Sequence, residues 1–288
     1  MIKGKEAWSY EGLTGRRITT KHFEIISTLR DVEFEDALPR FLEMTYRRYE
    51  RMLPAPTKPS PPLTIYIFAT RQEWEWFTRR RFPSRYEVYS RIRQGGYTEG
   101  DMSVSFYVNR SGTLATLAHE AWHQYVGSRF DTPIPAWLNE GLACYHEALH
   151  VARDSPVFTP RHNTFRINSL CEAVQRDTLL SVGEIVDTDA GQVISQDDCR
   201  VTHVYYAQAW ALVTFLRHGA GGRYADAFDR LLTDVAEGTF GVRVGAARLG
   251  SSDPSGTSVG RAAFEAYFGP VDAVADEYYD HLVRVCGF

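Results

Sequence analysis

Apolar and polar positions along the chain fall first into alternating stretches and later into helical ones. Residues 18–28, ITTKHFEIIST, are rich in β-branched side chains and partly alternate, which predicts a strand. Residues 35–52 carry apolar side chains at Leu38, Phe41, Leu42, Tyr46 and Tyr49, a helical period. Pro54, Pro56, Pro59, Pro61 and Pro62 then make a stiff connector, too short for a domain linker. A buried strand is expected at 63–69, a helix at 71–81, and an alternating strand at 102–109 after the turn-like Gly95-Gly96. From Ser111 helical periods dominate to the end, with loops near 154–163, 187–198 and 251–258. The last of these, SSDPSGTS, reads as the most flexible stretch. The outline is an α+β fold within one unit, 1–288, a small mixed β-sheet lobe at 1–110 followed by a mainly helical lobe at 111–288.

Composition adds little to that outline. The 288 residues are 44% hydrophobic and 24% charged, an ordinary globular balance. A net charge of −4 gives no overall attraction to nucleic acid or to anionic membrane. No apolar run approaches the ~20 residues that span a bilayer. The first ten residues hold two lysines with no apolar stretch behind them, so they do not read as a signal peptide. A cytoplasmic location is expected if Met1 is native, and the cell envelope or export if the sequence has been trimmed. The four cysteines, Cys144, Cys171, Cys199 and Cys286, form no C-x-x-C pair and are expected to be mostly free, buried thiols. Oligomeric state is not legible.

The chemistry concentrates in residues 111–128, SGTLATLAHEAWHQYVGS. Leu114, Leu117, Ala118, Ala121, Trp122 and Tyr125 trace one apolar stripe of a helix, expected over 112–127. Ser111 or Thr113 is expected to cap its start and Gly127 to end it. His119 and His123 are four residues apart, so about 40° separates them around the axis and both imidazoles leave the same face. Two such imidazoles make half of a tetrahedral zinc site. Glu120 is the only charged side chain in the segment and sits about 60° from His123, where a base for the attacking water belongs. The second segment is PIPAWLNEGLACYHE. Pro135 suits a first helical turn, and Glu140 follows His123 after sixteen intervening residues. An antiparallel helix returning after a short loop brings that carboxylate to the metal, and Gly141 lets the two helices approach. His119, His123 and Glu140 with a fourth position left open make a catalytic zinc set.

HEAWH followed by WLNEGLA resembles the gluzincin metallopeptidases, the class of thermolysin and aminopeptidase N. The aminopeptidase N pattern has eighteen residues between the second histidine and the glutamate where this chain has sixteen. With LPRFLEMTYRRYE upstream, the shorter spacing looks more like the compact bacterial peptidase MA-like proteins. The resemblance implies a zincin-like catalytic domain and hydrolysis of a peptide or protein substrate. It also implies an oxyanion donor. Tyr206-Ala207-Gln208-Ala209 is similar to the Y-x-K-G motif, with Gln for Lys and Ala for Gly, so Tyr206 is the expected donor and His203, one turn earlier, the alternative. Residues 96–100, GYTEG, match the amine-binding G-x-M-E-N motif at Gly96 and Glu99, which makes Glu99 a candidate substrate residue, although a loop carboxylate in water is the plainer reading. The strand at 103–108, with Ser105 in its middle, is expected to pair with an extended peptide if it lies at a sheet edge. Arg79, Arg80, Arg81, Arg85, Arg91 and Arg93, near Trp74, Trp76 and Phe77, read as a solvated face rather than an RNA-binding one. The reading that results is a zinc endopeptidase. Its rivals are an aminopeptidase, a zinc-bound scaffold with little turnover, and a zinc hydrolase of non-peptide bonds.

Overall fold

The computed structural model describes the chain except for residues 1, 57–59, 94, 153–154, 189–198, 251–256 and 288. The flexible stretch expected at 251–258 falls mostly outside the described residues, as do most of the 187–198 loop and part of the proline connector. The fold is mixed α+β with a six-stranded mixed sheet. It divides into two compact units: residues 1–129 with 149–158, and residues 130–148 with 159–288. The expected boundary at 110/111 is thus displaced, because the helix carrying the HEAWH segment is packed into the first unit.

In the first unit the strands are β1 (Gly4–Tyr10), β2 (Leu13–Thr19), β3 (Phe23–Ser27), β4 (Leu63–Phe68), β5 (Gly96–Glu99) and β6 (Met102–Phe106), in spatial order β1-β2-β3-β4-β6-β5. β3, β4 and β6 run parallel and the other pairings are antiparallel. The strand expected at 18–28 is two strands, broken where the Thr20 amide donates to the Phe23 carbonyl (2.8 Å) and the Phe23 amide to Thr20 Oγ1 (3.0 Å). The strand at 102–109 ends at Phe106 and is not an edge: β6 lies between β4 and β5, and β5 is the edge. Two helices make the parallel crossovers, α1 (Val32–Met52) and α2 (Arg71–Arg81), with the short α3 (Tyr86–Ser90) before β5. Period-two alternation gives β4 two apolar faces. Tyr66 and Phe68 pack on Phe77 of α2, at ring separations of 4.7 and 5.0 Å. The other face receives α4 (Arg110–Arg129), which lies against β4, β5 and β6. The 149–158 segment, expected as part of a helical lobe with a loop from 154, is a hairpin of β7 (Leu149–Ala152) and β8 (Ser155–Phe158).

The second unit is helical: α5 (Ala136–Glu147), α6 (Thr164–Gln175), α7 (Val182–Asp187), α8 (Cys199–His218), α9 (Ala225–Glu237), α10 (Phe240–Leu249), α11 (Val259–Phe268) and α12 (Val271–Cys286). Its core gathers α5 against α8. A Cβ at Gly141 would stand 2.5 Å from both the Ala209 carbonyl oxygen and Val213 Cγ2, so the close approach that Gly141 permits is with α8, where the sequence suggested the HEAWH helix. The expectation of mostly free thiols is corrected. Cys171 of α6 and Cys286 of α12 are joined in a disulfide across a sequence separation of 115. Cys144 is buried, and the Cys199 side chain lies outside the described residues.

Candidate metal centre

α4 is fixed at its start by Asn109. Its Oδ1 accepts the Gly112 amide at 2.8 Å, and Thr113 Oγ1 turns back to accept the Val108 amide at 3.2 Å. The cap is therefore Asn109 rather than Ser111 or Thr113. Gly127 lies inside the helix, which runs on to Arg129. Along its apolar stripe, Trp122 and Tyr125 meet Tyr49 of α1 edge-on or tilted, at 5.4 and 5.6 Å. The Tyr49 hydroxyl donates to the Ala118 carbonyl, and Tyr125 to the Leu53 carbonyl at 2.5 Å. On the sheet side Gln124 Nε2 donates to the carbonyls of Thr64 (2.7 Å) and Asp101 (2.9 Å). Six hydrogen-bond and ring contacts from two directions leave this helix little freedom to rotate or slide.

That anchoring presents His119 and His123 together. Their Nε2 atoms are 3.0 Å apart. Two nitrogens bound to one tetrahedral zinc at about 2.05 Å stand about 3.3 Å apart, so the pair fits that ion with a small relaxation. Glu120 is buried, 7% exposed, and its Oε2 accepts a hydrogen bond from Thr98 Oγ1 of β5 at 2.8 Å. The same hydroxyl lies 3.1 Å from the Glu120 carbonyl oxygen. Thr98 thus holds the carboxylate against the sheet edge. The sequence reading passed over it for its neighbour Glu99.

Alternation settles what Glu99 and Ser105 do. Tyr97 and Glu99 leave the sheet on the face opposite α4. There Tyr89 stacks on Tyr97 at 3.8 Å and donates its hydroxyl to Glu99, while Arg85 lies 3.8 Å from the same carboxylate. Glu99 is in a strand, not a loop in water, and faces away from the histidines. Ser105 is 1% exposed in an interior strand, with Oγ 3.3 Å from the Tyr66 carbonyl oxygen. Neither contributes to a substrate surface beside His119.

In the second unit, Glu140, Cys144 and Glu147 share one face of α5 at i, i+4 and i+7, and Glu140 is 7% exposed. Glu147 is gripped by a fork from Arg166 of α6, at 2.9 and 2.6 Å, and by Asn163 Nδ2 at 3.0 Å. Burial opposes the charge on Arg166, but Cys144 and Glu147 more than offset it and hold the guanidinium protonated. The same guanidinium lies 5.2 Å from the centre of the Tyr206 ring on α8. Sequence reading missed Arg166, which no local pattern marks. His203 is on the exposed side of α8, 5.8 Å from the Phe165 ring. Burial of its ring and then the Arg166 charge push its pKa down, against a smaller opposing effect of Glu172. Gln208, which stands where the Y-x-K-G motif has lysine, is fully buried and clamps the backbone of Leu180, accepting from its amide at 2.7 Å and donating to its carbonyl at 2.8 Å. The lysine-to-glutamine departure therefore serves the helical core.

No curated protein matches this chain. A family model described as a protein of unknown function, DUF1570, matches residues 113–235, a stretch that begins inside α4 and takes in His119, Glu120, His123, Glu140 and Tyr206, and over that stretch this chain is similar to that family.

Proposed function

We propose that the protein is a zinc-dependent peptidase in which His119, His123 and Glu140 hold the metal and Glu120 is the base. The observation that carries this reading is the pair of Nε2 atoms 3.0 Å apart beside a buried carboxylate that is held by Thr98 and is not itself one of the paired donors. Among the described residues two donor groups suit a metal ion, and both include His119: one with His123 and Glu140, the other with Cys144 and Glu147. The first is preferred because the Glu147 oxygens are already taken by Arg166 and Asn163. Two imidazoles and a carboxylate are a zinc donor set that leaves one position open.

Zinc held there would acidify a water toward neutrality and polarise a scissile carbonyl. Glu120, buried beside the histidine pair, would serve as the base that takes a proton from the attacking water and returns it to the leaving nitrogen. Thr98 keeps the carboxylate aimed, because its hydroxyl occupies one oxygen from the sheet side and leaves the other for the proton. Tyr206 donates to the oxyanion, with His203, neutral at pH 7, as the alternative donor. The substrate is an extended peptide that adds to the sheet at β5. With Glu99 on the face opposite α4 and engaged by Tyr89 and Arg85, the carboxylate that an aminopeptidase would use for a free amine points away from the histidines, which favours cleavage within a chain. The Cys171–Cys286 disulfide suits an oxidising compartment, and we place the protein there.

Elemental analysis of metal-replete protein tests the core of the reading. One zinc per chain is expected, falling strongly in His123→Ala. Unchanged zinc in that variant overturns the ligand assignment. Peptides matched except for N-terminal acetylation test the mode of cleavage: cleavage is expected to survive acetylation, and its abolition returns the aminopeptidase reading.

A further inference from the structure

Seven arginines and three glutamates lie between Arg71 and Arg93, in a chain whose net charge is −4. Part of this excess turns away from β5: Arg80 pairs with Glu11 at 2.9 Å and covers Trp76 at 3.7 Å. Arg85, Arg91 and Arg93 lie on the segment that runs through α3 into the edge strand β5. Arg71 donates to the carbonyls of Ser90 (2.9 Å) and Arg93 (3.2 Å), which fixes the segment entering β5. Arg85, Arg91 and Arg93 are all exposed, with Arg91 3.9 Å from Glu87 of α3. They accompany α3, whose Tyr89 stacks on Tyr97, so they belong to the sheet face that carries Tyr97 and Glu99. Thr98, between those two residues, points to the opposite face and to Glu120.

Among the described residues β5 pairs with β6 alone, so its outer edge can accept another strand. A peptide added there sends alternate side chains to alternate faces, and each residue shares the face of the β5 residue directly opposite it. The substrate residue level with Thr98 faces α4. The residues before and after it share the face of Tyr97 and Glu99, which Arg85 borders. The one carboxylate on that face of β5, Glu99, is already answered by Tyr89 and Arg85. We propose that this basic face selects extended peptides carrying Asp or Glu on both sides of the residue opposite Thr98. The inference rests on the peptidase reading for the location of the substrate. Its occupant is an acidic peptide rather than a nucleic acid, because an added strand meets the arginines only through alternate side chains.

The test uses the full-length, zinc-loaded protein and three peptides of one length, with Glu, Gln or Lys at the alternating positions. The Glu peptide is expected to have a kcat/KM about tenfold above the Gln peptide and further above the Lys peptide, with the advantage in KM and fading as salt is raised. Arg85→Glu with Arg93→Glu is expected to reverse the order, and Arg85→Gln with Arg93→Gln to flatten it. Both positions are exposed, and an unchanged melting temperature confirms the fold. Fluorescence anisotropy of the labelled Glu peptide on the Glu120→Gln variant gives a readout that does not depend on turnover. Equal binding of all three peptides, or an order that survives charge reversal, overturns the proposal. Tighter binding of a single-stranded oligonucleotide than of the Glu peptide overturns it as well. Selective binding of the Glu peptide without cleavage by the wild type would sink the peptidase reading and leave the acidic-peptide surface standing.

Discussion

At the scale of single residues, the proposed metal-binding motif and its support differ in how far apart in sequence they lie. His119, Glu120 and His123 were legible because one helical turn sets their relation, and that relation is local. Thr98 was not, because it reaches Glu120 from a strand twenty-two residues earlier, and only the pairing of β5 with β6 and the seating of α4 bring the two together. The sequence pointed one residue away, to Glu99, and in a strand a shift of one residue is a change of face. Two predictions belong here. Glu120→Gln is expected to keep its zinc and lose hydrolysis by several orders of magnitude, since it removes a proton acceptor and no ligand. Thr98→Val removes the hydroxyl and keeps the shape. Loss of one charge-assisted hydrogen bond, about 1.5 kcal/mol, is expected to lower kcat about tenfold with zinc content unchanged. A wild-type kcat in Thr98→Val would show that Glu120 is positioned by its helix alone.

At the scale of elements, the long helices followed from their periodicity and several strands did not. Helix α2 spans the residues its pattern marks, and α1 begins at Val32, three residues before the expected start at Glu35, because Asp31 caps it, accepting the Phe34 amide at 3.1 Å. The strand β1 went unread because its burial is nearly one-sided to solvent, with Trp8 its only buried residue, so GKEAWSY shows no alternation to read. β5 hid behind Gly95-Gly96, where Gly95 has φ of +108° and Gly96 a backbone contact that no side chain tolerates. Gly141 was rightly seen as a place of close approach but assigned to the wrong partner, because a glycine says that something comes near and not what. Gly141→Ala tests the packing: its Cβ must displace the Ala209 carbonyl or Val213, and a loss of about 1–3 kcal/mol is expected in urea unfolding despite alanine's better helix propensity. The disulfide between α6 and α12 was illegible for the same reason of distance. Closing a loop of this length is worth about 5 kcal/mol in chain entropy, so reduction is expected to lower the melting temperature by about 10 °C. Peptide mapping under non-reducing conditions checks the linkage first, and a melting temperature indifferent to reductant would refute its structural role.

At the scale of the whole molecule, the chain divides its acid sensitivity unevenly. The second unit holds three histidines whose rings are pushed toward the neutral form, His203, His218 and His281, in each case first by burial and then by neighbouring arginines. His281 is the extreme, pushed down to about 4 by burial beside the Phe215 ring and by Arg284. The sign follows from proton binding. Below the ordinary histidine value of about 6.5 the unfolded chain takes up a proton that the folded chain refuses, so acid favours unfolding. Stability is then greatest above about pH 6.5 and falls as the pH is lowered toward 4, by at most about 3 kcal/mol for His281 and less once solvent screening at a partly exposed ring is allowed for. His281→Phe keeps the ring packing and removes the titration. It is expected to flatten the dependence of the urea midpoint on pH between 4.5 and 7, while leaving the value at pH 7.5 nearly unchanged. Hydrogen exchange at pH 5 is expected to show α12 opening before the six-stranded sheet does. If the sheet of the first unit exchanges first, or if His281→Phe keeps the full slope, the acid-labile element lies elsewhere and the buried histidines of the helical unit are not what limits it.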